Sequence, residues 1–106
     1  MSPQARPPYS LAQALTIFKR ALTAEGRGLQ TGHYQQAMVD PEDPFNDQDV
    51  LRVRSTGAVK TPPEFDLKRG EWKYQIVGAD CEGHRLAVVF VPLDERTVKL
   101  ITGFHV

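Results

Sequence analysis

The residues of this chain that could do chemistry are a few cationic and imidazole side chains, most of them in its last third. Lys73, Arg85, Lys99 and His105 recur after residue 70, and His33 stands nearer the middle. An arginine guanidinium grips a phosphate group through two parallel hydrogen bonds. A histidine takes up or releases a proton near neutral pH. These residue types suit a site that binds phosphate and moves protons, provided that the fold brings them together.

The other reactive residue types give weaker signals. The three histidines, His33, His84 and His105, lack the one-turn spacing of two metal ligands on a helix. The acidic run from Asp40 to Asp49 is interrupted by two prolines and lacks the central glycine and final glutamate of a calcium loop. Cys81 has no sequence neighbour that would activate its thiol. We therefore predict neither a metal site nor a cofactor.

Three successive strands are predicted from Glu71 to the end of the chain, and they carry Lys73, Arg85, Lys99 and His105. Large apolar residues alternate from Trp72 to Val77, and β-branched and aromatic residues fill the run from His84 to Val91. A third such run spans Thr97 to His105. The segments between the runs are short and rich in turn formers, which predicts an antiparallel meander.

Alternation along each strand predicts two different faces for this sheet. One face is apolar and is the expected core side. Its predicted members are Trp72, Tyr74, Ile76, Leu86, Val88, Phe90, Val98, Leu100 and Phe104. The second face mixes valine and isoleucine with the charged residues Lys73, Arg85, Lys99 and His105. A face that met only water would be more polar, so the second face is predicted to be a groove, an interface, or a surface covered by the N-terminal part.

The first half of the chain predicts helices that cover the sheet. Ser10 opens a capping box, and apolar residues follow it at helical spacing. A second, shorter helix begins at Gly32, and Asn46 caps a third that ends at Gly57. Between the first two helices, residues 27–31 are either a short edge strand or a linker.

The predicted fold class is therefore α+β, with N-terminal helices packed on an antiparallel C-terminal β-sheet. We predict one domain over residues 1–106, with a loose arm at 1–9, a mainly helical part at 10–57 and the sheet at 58–106.

Composition narrows the compartment and the class of partner. Among 106 residues, 13 basic side chains balance 13 acidic ones. Nucleic-acid-binding domains are usually basic, so this balance counts against a dedicated binder without excluding a local basic patch. A single cysteine permits no internal disulfide. With no apolar stretch of membrane-spanning length and no signal-peptide core, we expect a cytoplasmic protein that contacts no membrane.

Several segments follow one another in a recognisable order between about Thr31 and Thr102. They are a histidine that opens a helix (31–38), an acidic-capped helix ending in glycine (47–57), the strand segment 72–78, the Gly83 turn, a valine-rich strand and Leu100-Ile101-Thr102. In this order they resemble a bacterial family of unknown function that is related to the RelE/ParE-type toxins. The chain departs from that family at residues 36–37 and 40–41, where family members tend to carry arginines.

The resemblance implies a RelE-like fold and a function in a toxin-antitoxin system. RelE-type toxins cut messenger RNA without a metal, and the RNA's own 2′-hydroxyl is the nucleophile. That chemistry needs a base, cations for the developing negative charge and an acid for the leaving oxygen. By this resemblance the chain is a metal-independent endoribonuclease, an mRNA interferase-like enzyme, that is held by an antitoxin protein. The implied catalytic residues are His33, Lys73, Arg85 and His105, with Lys99 beside them; Arg85 is the phosphate clamp, and His33 or His105 carries the proton.

Other interpretations remain open from the sequence. In one of them the basic residues are solvated charges on a sheet face. His33 is then a structural residue, whose ring packs against the sheet and hydrogen-bonds a backbone group. The chain is then a non-catalytic protein-interaction module of the same fold, working as a homo-oligomer or with a partner. The apolar content of the second face favours that alternative. A small-molecule site in a groove beside this face is a third interpretation, with no specific residue in its favour.

Overall fold

Three helices and five strands make up the computed structural model of the chain, which describes residues 6–106. The helices are α1 (Leu11–Ala21), α2 (Gly32–Met38) and α3 (Asp47–Thr56). The strands are β1 (Arg27–Gln30), β2 (Glu64–Asp66), β3 (Glu71–Ala79), β4 (Arg85–Asp94) and β5 (Thr97–His105). The helices pack against the sheet, so the predicted α+β class is confirmed.

The predicted helix starts are confirmed by their capping hydrogen bonds. The Ser10 hydroxyl accepts from the main-chain N–H of Gln13 at 3.1 Å, and the Gln13 side chain accepts from the N–H of Ser10 at 2.8 Å. Asn46 and Asp49 form the same reciprocal pair at the start of α3. These bonds satisfy main-chain donors that a helix leaves unpaired at its first turn.

The sheet has the strand order β1-β5-β4-β3-β2. Strands β3, β4 and β5 form the predicted antiparallel meander, and the three-residue β2 extends it beside β3. For residues 27–31 the sequence allows an edge strand or a linker. In the structure they contain the edge strand β1, which pairs with β5 in parallel. This pairing places the start of α2, which follows β1 directly, beside the middle of β5.

The core lies between the sheet and the helices α1 and α3. The ring centroids of Phe18 on α1 and Phe90 on β4 are 4.8 Å apart, and Tyr74 on β3 stacks on Phe90 at 6.0 Å. All three side chains are fully buried, as is Val53 on α3. Tyr74 is therefore a core residue, as the sequence predicted, and its hydroxyl bonds the main chain of Tyr9.

A β-bulge at Ile101 corrects the predicted faces of β5. Phe90 pairs with Leu100, but the preceding residue Val89 pairs with Thr102, so Ile101 is an extra residue in β5. Past the bulge every side chain changes face relative to simple alternation. The predicted core residue Phe104 lies on the face away from the helices and is 37% exposed. His105, predicted on that second face, lies on the helix-covered face opposite Leu86.

The bulge places Gly103 on the helix side of the sheet, where it meets Phe45. A Cβ added at Gly103 would come within 2.6 Å of the Phe45 ring, so the strand and the ring touch only because this residue has no side chain. The segment between α2 and α3 therefore packs directly on the end of β5. We call the sheet face away from α1 and α3 the open face; it carries Lys73, Gln75, Val77, Ala87, Val89, Val91, Lys99, Thr102 and Phe104.

The predicted loose arm at residues 1–9 falls partly on residues 1–5, which lie outside the described residues. No helix between residues 6 and 106 is both long enough and apolar enough to cross a membrane.

Candidate functional site

A pocket of about 390 Å³ lies on the open face where the start of α2 meets the sheet. It gathers residues from β5, from β3, from the start of α2 and from the turn between β2 and β3. We call it the basic pocket; its lining is Thr31, Gly32, His33, Asp66, Arg69, Lys73, Lys99 and Ile101. Pockets of this size suit a small ligand or one unit of a polymer.

Thr31 positions the His33 side of the basic pocket. Its hydroxyl accepts from the N–H of Tyr34 at 3.1 Å and donates to the carbonyl of Leu100 at 2.9 Å. The first contact caps α2, and the second ties the start of that helix to β5. His33, two residues further on, is exposed rather than packed against the sheet. Its imidazole is therefore available to a ligand in the pocket.

Asp66 organises the opposite side of the basic pocket. Its carboxylate accepts from the main-chain N–H groups of Lys68 at 3.0 Å and Arg69 at 3.3 Å, which closes the turn after β2. Gly70 completes this turn with φ of +65°, a value that side-chain-bearing residues rarely adopt. The turn places Arg69 among the residues that line the pocket.

Lys73 and Lys99 form the floor of the basic pocket. Lys99 on β5 pairs with Val91 on β4, and the register of β3 with β4 brings Lys73 level with the same valine. Each lysine faces a carboxylate: Lys73 lies 3.9 Å from Asp66, and Lys99 bonds Glu71. The two ammonium groups are thus held on the sheet with their charges partly balanced.

The charges at the basic pocket favour an anion. Lys73, Lys99 and Arg69 supply three cations, against the two carboxylates of Asp66 and Glu71. Within residues 6–106, neither Arg69 nor His33 takes part in an ion pair. An exchange of ion-pair partners would let a phosphate replace the carboxylates on the lysines. The pocket therefore combines one more positive than negative charge with an exposed imidazole.

A second cleft, of about 450 Å³, lies at the other end of the sheet. We call it the acidic cleft; its lining is Glu42, Asp43, Pro44, Asp49, Asp80, Glu82, His84, Arg85, His105 and Val106. Arg85 stands here because it pairs with Ala79 at the far end of β3. Six residues separate Ala79 from Lys73, which corresponds to about 20 Å at the usual rise of a strand.

His105 is clamped between two carboxylates in the acidic cleft. Its Nε2 lies 2.7 Å from Asp80 Oδ2, and its Nδ1 contacts Asp43. The main-chain N–H of His105 donates to Asp43 as well, at 2.9 Å. With both ring nitrogens facing acceptors, the doubly protonated ring satisfies both contacts. This clamp joins the end of β5 to the α2–α3 segment and to the turn after β3.

The pKa values of the clamp favour the charged forms of all three groups. Desolvation lowers the pKa of His105, but the hydrogen bonds to Asp43 and Asp80 outweigh it, and the net pKa is raised. Desolvation raises the pKa of Asp80, but the bonds from His105, His84 and Glu82 leave it below the usual range. The N–H and the ring of His105 lower the pKa of Asp43. These shifts favour an imidazolium between two carboxylates.

We expect the clamp to make stability fall as the pH rises above neutral. The pKa of His105 is higher in the folded protein than its unfolded value of about 6.5. Protonated His105 therefore stabilises the fold fully at pH values below about 6.5. This stabilisation is lost as the pH rises through the folded pKa. The two aspartates stabilise above their unfolded pKa and lose the effect in acid. Urea unfolding at pH 6 and pH 9 should show the fall for the wild type.

The His105→Gln variant should be about 1–3 kcal/mol less stable than the wild type at pH 6. Its free energy of unfolding should differ much less between pH 6 and pH 9 than that of the wild type. The matched control is His33→Gln, because His33 is an exposed histidine at the other end of the sheet and touches no member of the clamp. If both variants kept the wild-type pH dependence, the clamp would not be its source.

The structure brings His33 and Lys73 together and places Arg85 and His105 in the other cleft. Lys99 joins the first pair. Arg69 and Asp66 also line the basic pocket, and neither is among the residues predicted from the sequence. The sequence does carry a signal for Arg69: an aspartate and a glycine enclose the run from Asp66 to Gly70, which is typical of a tight turn. A turn there places Arg69 at the edge of the sheet.

Cys81 carries no sign of activation. The residue is exposed in the turn after β3, and its main-chain N–H donates to Asp49 at 3.1 Å. Desolvation, followed by the nearby Asp49 carboxylate, raises the pKa of the Cys81 thiol. A raised pKa disfavours the reactive thiolate.

Comparison with known proteins finds no counterpart: no family model matches the chain, and neither the curated proteins nor the solved structures contain a match.

Proposed function

We propose that this protein is a metal-independent endoribonuclease of the RelE-like type and that the basic pocket is its active site. The observation that carries the proposal is the convergence of an exposed histidine and three cations, His33, Arg69, Lys73 and Lys99, around one pocket on the open face. Three separate parts of the chain supply these side chains. Cleavage of RNA through its own 2′-hydroxyl needs this combination of a base and cations.

The order of the side chains across the sheet suits an in-line displacement. His33 stands on the side of β1 and β5, Lys99 on β5, and Lys73 on β3 with Arg69 beyond it. In the proposed reaction His33 takes the proton of the 2′-hydroxyl, and the 2′-oxygen attacks the phosphorus. The bond to the 5′-oxygen breaks, and Lys73 on the opposite side donates a proton to that oxygen. The products are a 2′,3′-cyclic phosphate and a 5′-hydroxyl end.

Lys99 and Arg69 stabilise the charge that develops on the phosphorane. Arg69 presents a planar guanidinium, which suits two phosphate oxygens at once. Lys99 gives up its contact with Glu71 when the phosphate arrives. Because ions of the solution compete for the same cations, we expect RNA binding to weaken steeply with salt.

A chimeric RNA tests this function directly. The substrate is a labelled oligonucleotide with one ribonucleotide in an otherwise deoxyribonucleotide strand, incubated with the protein and EDTA. We expect cleavage only after that ribonucleotide, with a cyclic phosphate on the 5′ fragment. A strand with deoxyribonucleotides throughout should stay intact. Equal cleavage of both strands, or cleavage that EDTA abolishes, would contradict the proposal.

The resemblance extends this proposal to a toxin held by an antitoxin. Induced expression of the chain alone should then arrest bacterial growth and leave fragmented messenger RNA. Normal growth with soluble, folded protein and intact messenger RNA would count against the toxin role.

A non-catalytic interaction module is the second candidate, and one observation favours it. The open face exposes the large apolar side chains of Phe104 and of Leu29, the β1 partner of Lys99, which are 37% and 39% exposed. Exposed apolar groups of this size on one sheet mark surfaces that bind other proteins. A protein that leaves every RNA intact but self-associates, and loses the association on Phe104→Ser, would support this candidate over the nuclease.

A further inference from the structure

The outer edge of β1 presents main-chain groups that no described strand uses. Strand β1 ends the sheet, and β5 is its neighbour on the inner side. The N–H groups of Arg27 and Thr31 bond carbonyls at β5, of Arg96 and Leu100. Donors alternate in direction along a strand, so the N–H and C=O groups of Gly28 and Gln30 point outward. All four residues of β1 are exposed.

A groove of about 270 Å³ runs beneath this edge on the helix side of the sheet. Its walls are Leu22 after α1, Val50 and Leu51 on α3, and Leu100 on β5. It stays open because Gly28 has no side chain; a Cβ there would lie 2.8 Å from Leu22. Leu51 is 41% exposed, so this groove presents apolar surface to the solvent.

The other end of the groove is negative. Asp47, the first residue of α3, lies 3.4 Å from the side-chain amide of Gln30. Tyr34 lines the same groove, and its pKa is raised, first by burial and then by the nearby Asp47 carboxylate. Within the described residues no ion pair neutralises Asp47. The groove therefore offers an apolar wall beside Gly28 and a carboxylate beside Gln30.

We propose that the β1 edge is a docking site for an extended peptide segment of a partner protein, which adds to the sheet as a sixth strand. The main chain of the peptide pairs with Gly28 and Gln30. Cross-strand neighbours share a face, so peptide residues opposite these two both point into the groove. The segment that fits carries a leucine-like side chain opposite Gly28 and a lysine or arginine two positions away, beside Asp47.

The occupant is an extended strand because only an extended backbone can meet the outward groups of β1 in register. An apolar small molecule would fill the groove and leave those groups unpaired. A helix would cover the groove without reaching them. The spacing of the two side chains follows from the period of two along a strand.

A labelled peptide with the sequence Thr-Thr-Leu-Thr-Lys-Thr-Thr, blocked at both ends, is the probe. We expect its fluorescence polarisation to rise on addition of the wild-type protein. Replacing its leucine by alanine, or its lysine by glutamate, should weaken binding by roughly tenfold each. On the protein, amide exchange should slow at Gly28 and Gln30 when the peptide is bound.

Gln30→Pro removes one outward N–H of β1 and nothing from its pairing with β5. Proline suits an edge strand whose N–H faces solvent. The matched control is Gln30→Thr, which loses the same side chain and keeps the N–H. We expect the peptide to bind the threonine variant and not the proline variant, with thermal unfolding showing that both are folded.

Three outcomes would overturn the docking site: equal binding to the two variants, no binding up to about 1 mM peptide, or a wild-type dimer that Gln30→Pro dissociates. The last outcome would assign the edge to a second copy of this chain. These readouts involve no RNA, so the docking site and the nuclease function succeed or fail independently.

Discussion

His33→Ala should lower the rate of RNA cleavage by about 100- to 10,000-fold, the range that a positioned proton carrier contributes. The imidazole is exposed at the basic pocket, and no other histidine lines that pocket. The side chain supports no core contact, so the free energy of unfolding should stay near the wild-type value. Cleavage of the single-ribonucleotide substrate under single-turnover conditions measures the effect.

His84→Ala is the matched control for this experiment. His84 is an exposed histidine as well, but it lies in the acidic cleft at the other end of the sheet. Its loss should leave cleavage unchanged. Equal activity of the two variants would remove His33 from the mechanism and leave the basic pocket without a base.

Phe90→Ala should destabilise the protein by about 3–5 kcal/mol, whereas Phe104→Ala should cost about 1 kcal/mol or less. Phe90 is fully buried between Phe18 and Tyr74. Phe104 lies on the open face because of the bulge at Ile101. In a domain of this size each kcal/mol changes the melting temperature by about 4–8 °C, so the two variants should differ by more than about 8 °C.

This pair of variants also tests the register of β5. Simple alternation from Val98 would place Phe104 in the core and His105 outside. If the two alanine variants lost similar amounts of stability, Phe104 would lie in the core as simple alternation predicts, and the bulge would be contradicted.

The sequence predicted the elements of the fold where local signals were strong. Capping residues marked the starts of the helices at Ser10 and Asn46, and period-two alternation marked β3 and β4. Such signals depend on residues close together in the chain, and they agreed with the tertiary packing. The partner of β1 could not be predicted, because Arg27–Gln30 pairs with residues 70 positions later.

The bulge could not be predicted for a similar reason. It brings Gly103 into contact with Phe45, 58 positions away in the chain, and alternation within β5 gives no sign of that contact. One extra residue then moved His105 to the helix side, where Asp43 and Asp80 hold it. A residue type that suggested proton transfer thus forms a structural clamp.

The positions of the two lysines of the basic pocket could be predicted from the sequence, but the way in which the other side chains join them could not. Lys73 and Lys99 alternate onto the open face in a regular way, and sequence reasoning placed them there. The position of His33 depends on the parallel pairing of β1 and on the hydrogen bond of Thr31 to Leu100. The position of Arg69 depends on a turn closed by Asp66. Both are consequences of folded geometry.

Binding of RNA in the basic pocket can be followed by NMR titration with an uncleavable RNA. A short RNA with 2′-O-methyl groups is added to isotope-labelled protein, and amide chemical shifts are followed. We expect the changes in chemical shift to concentrate at residues 31–33, 66–73 and 99–101. Shifts that concentrate instead at residues 80–85 and 105, or no shifts up to about 1 mM RNA, would contradict it.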